Sequence, residues 1–230
     1  MHAWRRVGIQ PHRRCGVLSP VGIRPGEPWG VICDADPDVT VSGDDAALLA
    51  AATLAPGRLI RFKPGPSSQI GPAIGLSATT RSIGIAVPMD LLALSDGRTA
   101  VNMVILGTTP QHQRWYTKDV DLGPSIGKAT GIVVANGQFL GGLDVVPRGH
   151  PGDGRAEVHT YRMLRRERAG MRSLLASGGH VPHPRIETRS VRSITISPPR
   201  HIAIELDGRP AGRVAEITIT VIENAYRLLL

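Results

Sequence analysis

Residues 136–154 read NGQFLGGLDVVPRGHPGDG. They follow an apolar run, Thr130–Ala135, that predicts a strand. Asn136-Gly137 through Gly141-Gly142 then reads, taken alone, as a hairpin turn. Pro147 to Glu157 (PRGHPGDGRAE) is a Gly/Pro loop in which the Asp153 carboxylate stands between two glycines. A carboxylate with free backbone carbonyls beside it can hold a hard cation such as Mg²⁺. A turn that merely carries an Asp is the blander and commoner reading.

On either side of this stretch strand patterns dominate. They cover Met89–Ala93, Ala100–Leu106, Trp115–Leu122, Thr130–Ala135 and Ala156–Tyr161, and later Ser190–Ser197, His201–Leu206, Arg213–Ile222 and Tyr226–Leu230. Ile217, Ile219 and Val221 alternate with Thr218 and Thr220, the pattern of a half-buried strand. Glu205-Leu206-Asp207-Gly208-Arg209-Pro210 is a hairpin with Asp-Gly at its tip. One helix interrupts, Leu164 to Leu175, with Leu164, Met171, Leu174 and Leu175 inward and Arg165, Arg166, Arg168 and Arg172 to solvent. His180 and His183 are two apart in number of intervening residues, but Pro182 and Pro184 make them a loop.

The N-terminal part has another texture. Pro11, Pro20, Pro25, Pro28 and Pro37 break residues 1–40, leaving short strand candidates at Gly30–Cys33 and Asp38–Val41. Asp44 to Thr53 (DDAALLAAAT) is the clearest helix, with acidic residues in its first turn and a stop at Pro56-Gly57. Arg58–Phe62 reads as a strand and Ile70–Leu76 as a short helix. The expected architecture is α+β in two domains. A truncated α/β nucleotide-binding-like domain (1–86) precedes a mostly antiparallel β-sandwich domain (87–230).

Composition narrows the classes. With 230 residues, 41% hydrophobic, the chain is long enough for a packed core. Its 27 Gly and 19 Pro count against a helical bundle. No apolar run approaches the roughly 20 residues of a membrane span, and the N-terminus lacks the continuous apolar region of a secretory signal. Two cysteines, Cys15 and Cys33, do not make a disulfide scaffold or a zinc site and are expected to be reduced thiols of a cytoplasmic protein. The net charge of +8 fits an anionic partner, namely nucleotide phosphate or anionic lipid. Genomic base composition accounts equally well for an excess in which only Lys63, Lys118 and Lys128 are not Arg. Nucleic acid fits poorly, because three Trp, three Tyr and two Phe do not interleave with a basic stripe.

Taken in order, these segments resemble the bacterial diacylglycerol kinase-like lipid kinases, a family related in fold to NAD kinases. Ser42-Gly43-Asp44-Asp45-Ala46 falls where that family has its Gly-Gly-Asp-Gly-Thr loop. Pro66-Ser67-Ser68-Gln69 falls on its Gly-Thr-Gly-Asn-Asp turn, and Ala100-Val101-Asn102 to Gly107 on its first β-domain strand. Asn136-Gly137, Gly141-Gly142, Pro147 and Asp153-Gly154 follow its Asn-Gly…Gly-Gly…Pro…Asp-Gly stretch, the most specific part of the match. Leu206-Asp207-Gly208 is similar to its late Asp-Gly-Glu hairpin.

The resemblance implies a site in the cleft between the two domains. Ser42, Gly43, Asp44, Asp45, Ser67 and Ser68 would contact ATP, and the Mg²⁺ loop maps to His150, Asp153 and Arg155. The departures are equally specific. Ser42, Asp45 and Ala46 replace Gly, Gly and Thr, and a carboxylate near a triphosphate is repulsive. Arg209 occupies the place of the glutamate base and cannot take a proton, which leaves Asp207 as the hairpin's carboxylate to act as catalytic base. Two readings follow. One is an ATP-dependent kinase of a lipid hydroxyl, cytoplasmic with peripheral membrane contact. The other is a catalytically inactive member that binds nucleotide or lipid, or serves as a scaffold.

Overall fold

A computed structural model describes residue 15 and residues 29–54, 56–77, 83–112 and 119–230. The irregular stretch expected over residues 1–40 therefore lies mostly outside the described residues, as does the first half of the strand expected at Trp115–Leu122.

The chain opens with β1 (Val31–Ile32), β2 (Val39–Gly43), α1 (Asp45–Leu54) and β3 (Leu59–Pro64). β2 and β3 pair in parallel, from Val39 opposite Ile60 to Gly43 opposite Pro64, with α1 as the crossover. Asp38 pins the start of this unit, its Oδ2 accepting the Leu59 N–H at 2.7 Å. Helix α1 forms because Ala and Leu favour it and because Asp44 caps it, Oδ1 accepting the N–H groups of Ala46 and Ala47. A one-turn helix, α2 (Ile70–Ala73), follows β3.

The long β4 (Ile85–Leu94) and short β5 (Thr99–Ala100) lead into β6 (Met103–Gly107), β7 (Val120–Asp121), β8 (Lys128–Ala129) and β9 (Gly131–Ala135). Next come the small hairpin β10 (Phe139–Leu140) and β11 (Leu143–Asp144), β12 (Ala156–Tyr161) and α3 (Arg165–Leu174). The chain ends with β13 (Ile186–Val191), β14 (Ser193–Ile196), β15 (Ile202–Leu206), β16 (Arg209–Val214) and the 13-residue β17 (Ile217–Leu229). Two expected strands, Arg213–Ile222 and Tyr226–Leu230, are thus divided differently: β16 takes the first residues and β17 runs through the rest. Asn224, at φ 53°, marks the irregularity where the register with β4 shifts.

Two sheets result. One runs β1-β4-β17-β3-β2, with β5 on β4 and β14 on β17. The other runs β13-β12-β9-β6-β15-β16 and is antiparallel throughout. β4 and β17 serve both halves. Leu92, Leu94, Ile217 and Ile219 pack between the sheets against Val104, Leu106, Val134 and Ile204. Further along the same two strands, Val87, Met89, Tyr226 and Leu228 pack against Leu48, Ile60 and Phe62 of the α/β unit. The C-terminal strand pairs in parallel with β3 at Arg227–Leu59 and Leu228–Ile60. The molecule is an α/β unit joined to a β-sandwich by these two shared strands.

Three expectations need correction. Cys15 and Cys33 are joined as a disulfide rather than held as free thiols, because an antiparallel bridge between the two residues brings them together. Arg168 of α3 is buried at 3% exposure, its guanidinium spent on the Met163 carbonyl and on Asp119 at 3.0 Å. It shares the inward face with Met171, three residues on, while Leu164 and Leu174 turn outward. Finally, the 136–142 stretch is not turn throughout: Phe139–Leu140 pairs with Leu143–Asp144, and the bend between them is Gly141-Gly142, at φ 59° and 74°.

Candidate active site

The end of β2, the α2 turn and the β15–β16 hairpin meet around a cleft of about 670 Å³. One wall carries Asp44, Asp45, Ala46, Leu49, Ser67 and Gln69. The other carries Glu205 to Ala211, and Leu140, Leu143, Gln111, His112 and Arg172 close its far end. Of the residues expected at a nucleotide, Asp44, Asp45 and Ser67 line this cleft, whereas Ser42, Gly43 and Ser68 do not.

Asp45 does not face the opening as its sequence position suggests. It is buried, and its carboxylate accepts from Ser68 Oγ at 2.7 Å and from the N–H groups of Gln69 and Ile70 at 3.0–3.3 Å. It thereby caps the turn into α2 and fastens it to α1. Burial is the main cause that raises its pKa, the hydrogen bonds opposing. Ser68 is the other half of this lock, since its Oγ also accepts the Gly71 N–H at 3.1 Å.

Asp44 does point to the cleft, but Arg209 meets it. The Arg209 guanidinium donates to Asp44 Oδ2, across the two walls. The Ala47 N–H is the chief cause that holds the Asp44 carboxyl below its usual range, and Arg209 adds to it. The residue at the expected position of a catalytic glutamate is thus the charge partner of Asp44.

Asp207 sits at the hairpin tip with φ 50°. Its carboxylate, the expected catalytic base, is occupied by backbone donors: Oδ2 accepts the Val101 N–H at 3.1 Å, and Oδ1 accepts those of Asn102 and Met103 at 2.9 Å each. It anchors the β5–β6 junction to the hairpin. Burial pushes its pKa up to about 6 against these three bonds.

His150, Asp153 and Arg155 stand apart, beside the shared strands. Asp153 Oδ1 accepts the Arg155 N–H at 2.9 Å, and the His150 carbonyl accepts the Gly152 N–H at 2.9 Å. The Arg155 guanidinium turns away to Ser190. The His150 ring packs edge-on to Trp29, and burial lowers its pKa. Close by, Asp90 accepts the N–H groups of Gly154 and Asn224. Burial raises Asp90 to about 6, with Asp153 and Glu223 pushing the same way. Among the described residues, no three His, Cys, Asp or Glu side chains converge as a metal cage. An oxygen set of one carboxylate plus carbonyls remains compatible with the loop.

Sequence reading missed a second polar pair in the cleft. His112 Nε2 lies 2.9 Å from Glu205 Oε1. The Glu205 hydrogen bond is the main cause that raises the His112 pKa. The two residues are 93 positions apart, so no motif spacing could have linked them. The one available signal was Glu205's place at the base of the Asp-Gly hairpin.

The YegS C-terminal NAD kinase beta sandwich-like domain matches residues 102–230, more than half of the chain. No curated protein matches. Among solved structures, a diacylglycerol kinase from Bacillus anthracis str. Sterne is similar over 84% of this chain and 76% of its own, at 16% identity and TM-score 0.66. An NAD kinase from Archaeoglobus fulgidus in complex with ATP is similar over 84% and 78%, at 14% identity and TM-score 0.48. At such identities the likeness is one of fold. The family match spans every strand of the antiparallel sheet and the shared strand β17, and the chain belongs to the family of the YegS C-terminal NAD kinase beta sandwich-like domain.

Proposed function

We propose that the cleft binds ATP and passes its terminal phosphoryl group to the hydroxyl of a lipid of the diacylglycerol type. The observation that carries this reading is the cleft itself, open between the α1 N-terminus and the Asp-Gly hairpin and lined from both halves of the molecule. The repulsion anticipated at the phosphates is largely removed. Asp45 is turned into the protein, and the charge of Asp44 is matched by Arg209. The Arg209 side chain is 65% exposed and retains donors for phosphate oxygens. Arg165 and Arg166 on the outer face of α3 suit anionic headgroups and a peripheral membrane contact. No described helix is long and apolar enough to cross a membrane.

The same reading assigns Mg²⁺ to the 147–155 loop, with the Asp153 carboxylate and the carbonyls of His150 and Arg155 as ligands. These hard oxygen donors suit the ion, and the mutual repulsion of Asp90 and Asp153 is what a cation would relieve. Bound there, the ion supplies fixed positive charge that holds the loop against the shared strands. Asp153→Ala should abolish any rise in melting temperature produced by millimolar Mg²⁺; an equal rise in wild type and variant would contradict the assignment.

The test of the kinase reading is transfer of radiolabelled phosphate from ATP to diacylglycerol in mixed micelles. A labelled phospholipid product is expected. The second reading, an inactive nucleotide or lipid binder or a scaffold, is favoured by the Asp44–Arg209 pair and by the fully occupied Asp207 carboxylate. It gains if ATP binds and no acceptor is labelled.

A further inference from the structure

Transfer to a hydroxyl calls for a group that accepts its proton, and Arg209 cannot do so. Four carboxylates line the cleft. Asp44 is bound by Arg209 and two helix N–H groups, Asp45 by Ser68 and the α2 turn, and Asp207 by three backbone N–H groups. Among the described residues, Glu205 alone of the four has an oxygen to spare. Its Oε1 accepts from His112, and among the described residues its Oε2 has no hydrogen-bond partner. Its side chain is 22% exposed, open to the cleft yet partly shielded from water.

His112 is itself held in orientation. Its Nδ1 is ringed by Thr109, 3.0 Å from the N–H, 3.1 Å from Oγ1 and 3.1 Å from the carbonyl oxygen, so that Nε2 faces Glu205. The imidazole therefore steadies one carboxylate oxygen and leaves the other free. Gln111 lies beside the pair, and among the described residues its buried side-chain Nε2 and Oε1 have no hydrogen-bond partner. Buried polar atoms without partners are costly and mark a place where a ligand's hydrogen bonds are wanted. Leu140, Leu143 and Leu206 give this end of the cleft an apolar wall suited to the start of an acyl chain.

We propose that Glu205 is the general base of the transfer, that His112 positions it, and that Gln111 hydrogen-bonds an oxygen of the acceptor lipid. This rests on the kinase reading above. In the step, the acceptor hydroxyl oxygen forms a bond to the γ-phosphorus while the bond from that phosphorus to the bridging oxygen breaks. ADP leaves with the electron pair, and the hydroxyl proton passes to the Glu205 carboxylate.

The experiment compares wild type, Glu205→Gln and Glu205→Asp for phosphate transfer from Mg-ATP to diacylglycerol, with the melting shift in Mg-ATP measured in parallel. Glu205→Gln keeps an acceptor for His112 and should fold. It is expected to lose about 100-fold or more in kcat with an unchanged Mg-ATP shift. Glu205→Asp, still a base, should retain more activity than the Gln variant. As a positioning residue, His112 should when changed to Asn lower kcat without raising the KM for the lipid. Transfer by Glu205→Gln within threefold of an active wild type would overturn the assignment and leave the kinase reading standing. If wild type labels no lipid, the kinase reading falls and the base with it.

Discussion

Asp45 takes the place of a glycine in the resembled loop, and its side chain is used to build rather than to bind. Removing it strands Ser68 Oγ and the N–H groups of Gln69 and Ile70. Asp45→Ala should cost about 1–3 kcal/mol, read as a lower urea midpoint; an unchanged midpoint would contradict the role given to it. Asp90 and Asp207 make a second residue-scale prediction. Both have folded pKa values raised from 3.8 to about 6. Between those values the folded state holds protons that the unfolded state has released. Stability therefore falls as pH rises from about 4 to about 6, and Asp90→Asn should flatten that slope in melting curves. At this scale the sequence was half legible. Asp44 as a helix cap follows from local spacing alone. The His112–Glu205 pair does not, because only the meeting of the β6–β7 connection with β15 brings the two together.

The Asn136-Gly137 pair shows what an element asks of its residues. The Asn136 side-chain amide donates to the carbonyls of Asp90 and Val101 at 2.9 and 3.1 Å. It ties β9 to β4 and to the β5–β6 junction, which Asp207 secures from the other side. Gly137 must be small because a Cβ there would collide with the Asn102 side-chain oxygen. Gly137→Ala should destabilise the fold by about 1–3 kcal/mol, measured by denaturant titration. A turn was expected over 136–142, and the hairpin that forms there bends at Gly141-Gly142. Sequence located the hairpin without fixing its tip, because Asn-Gly satisfies the tight-turn pattern as well as Gly-Gly does. In α3 the periodic arginines read as a solvent face. The Met163 carbonyl and the Asp119 carboxylate, neither marked by the pattern, draw Arg168 inward.

For the whole molecule, the decisive feature is that β4 and β17 each belong to both cores. Strand texture and turn chemistry made the sandwich legible, and the Ala/Leu helix made the α/β unit legible. Their joining was not, since the final strand returns across the chain to pair with β3. Deleting residues 226–230 removes Tyr226, Leu228 and Leu229 from buried positions and should abolish cooperative thermal unfolding rather than merely lower its midpoint. This joining also forms the cleft, by setting the α1 N-terminus against the β15–β16 hairpin. The central claim is that this cleft holds a nucleoside triphosphate. Its most direct test is the melting temperature of the full chain titrated with Mg-ATP. A ligand bound by the folded state alone must raise it. A rise that saturates at millimolar ATP is predicted, and a melting temperature that does not move would contradict the account.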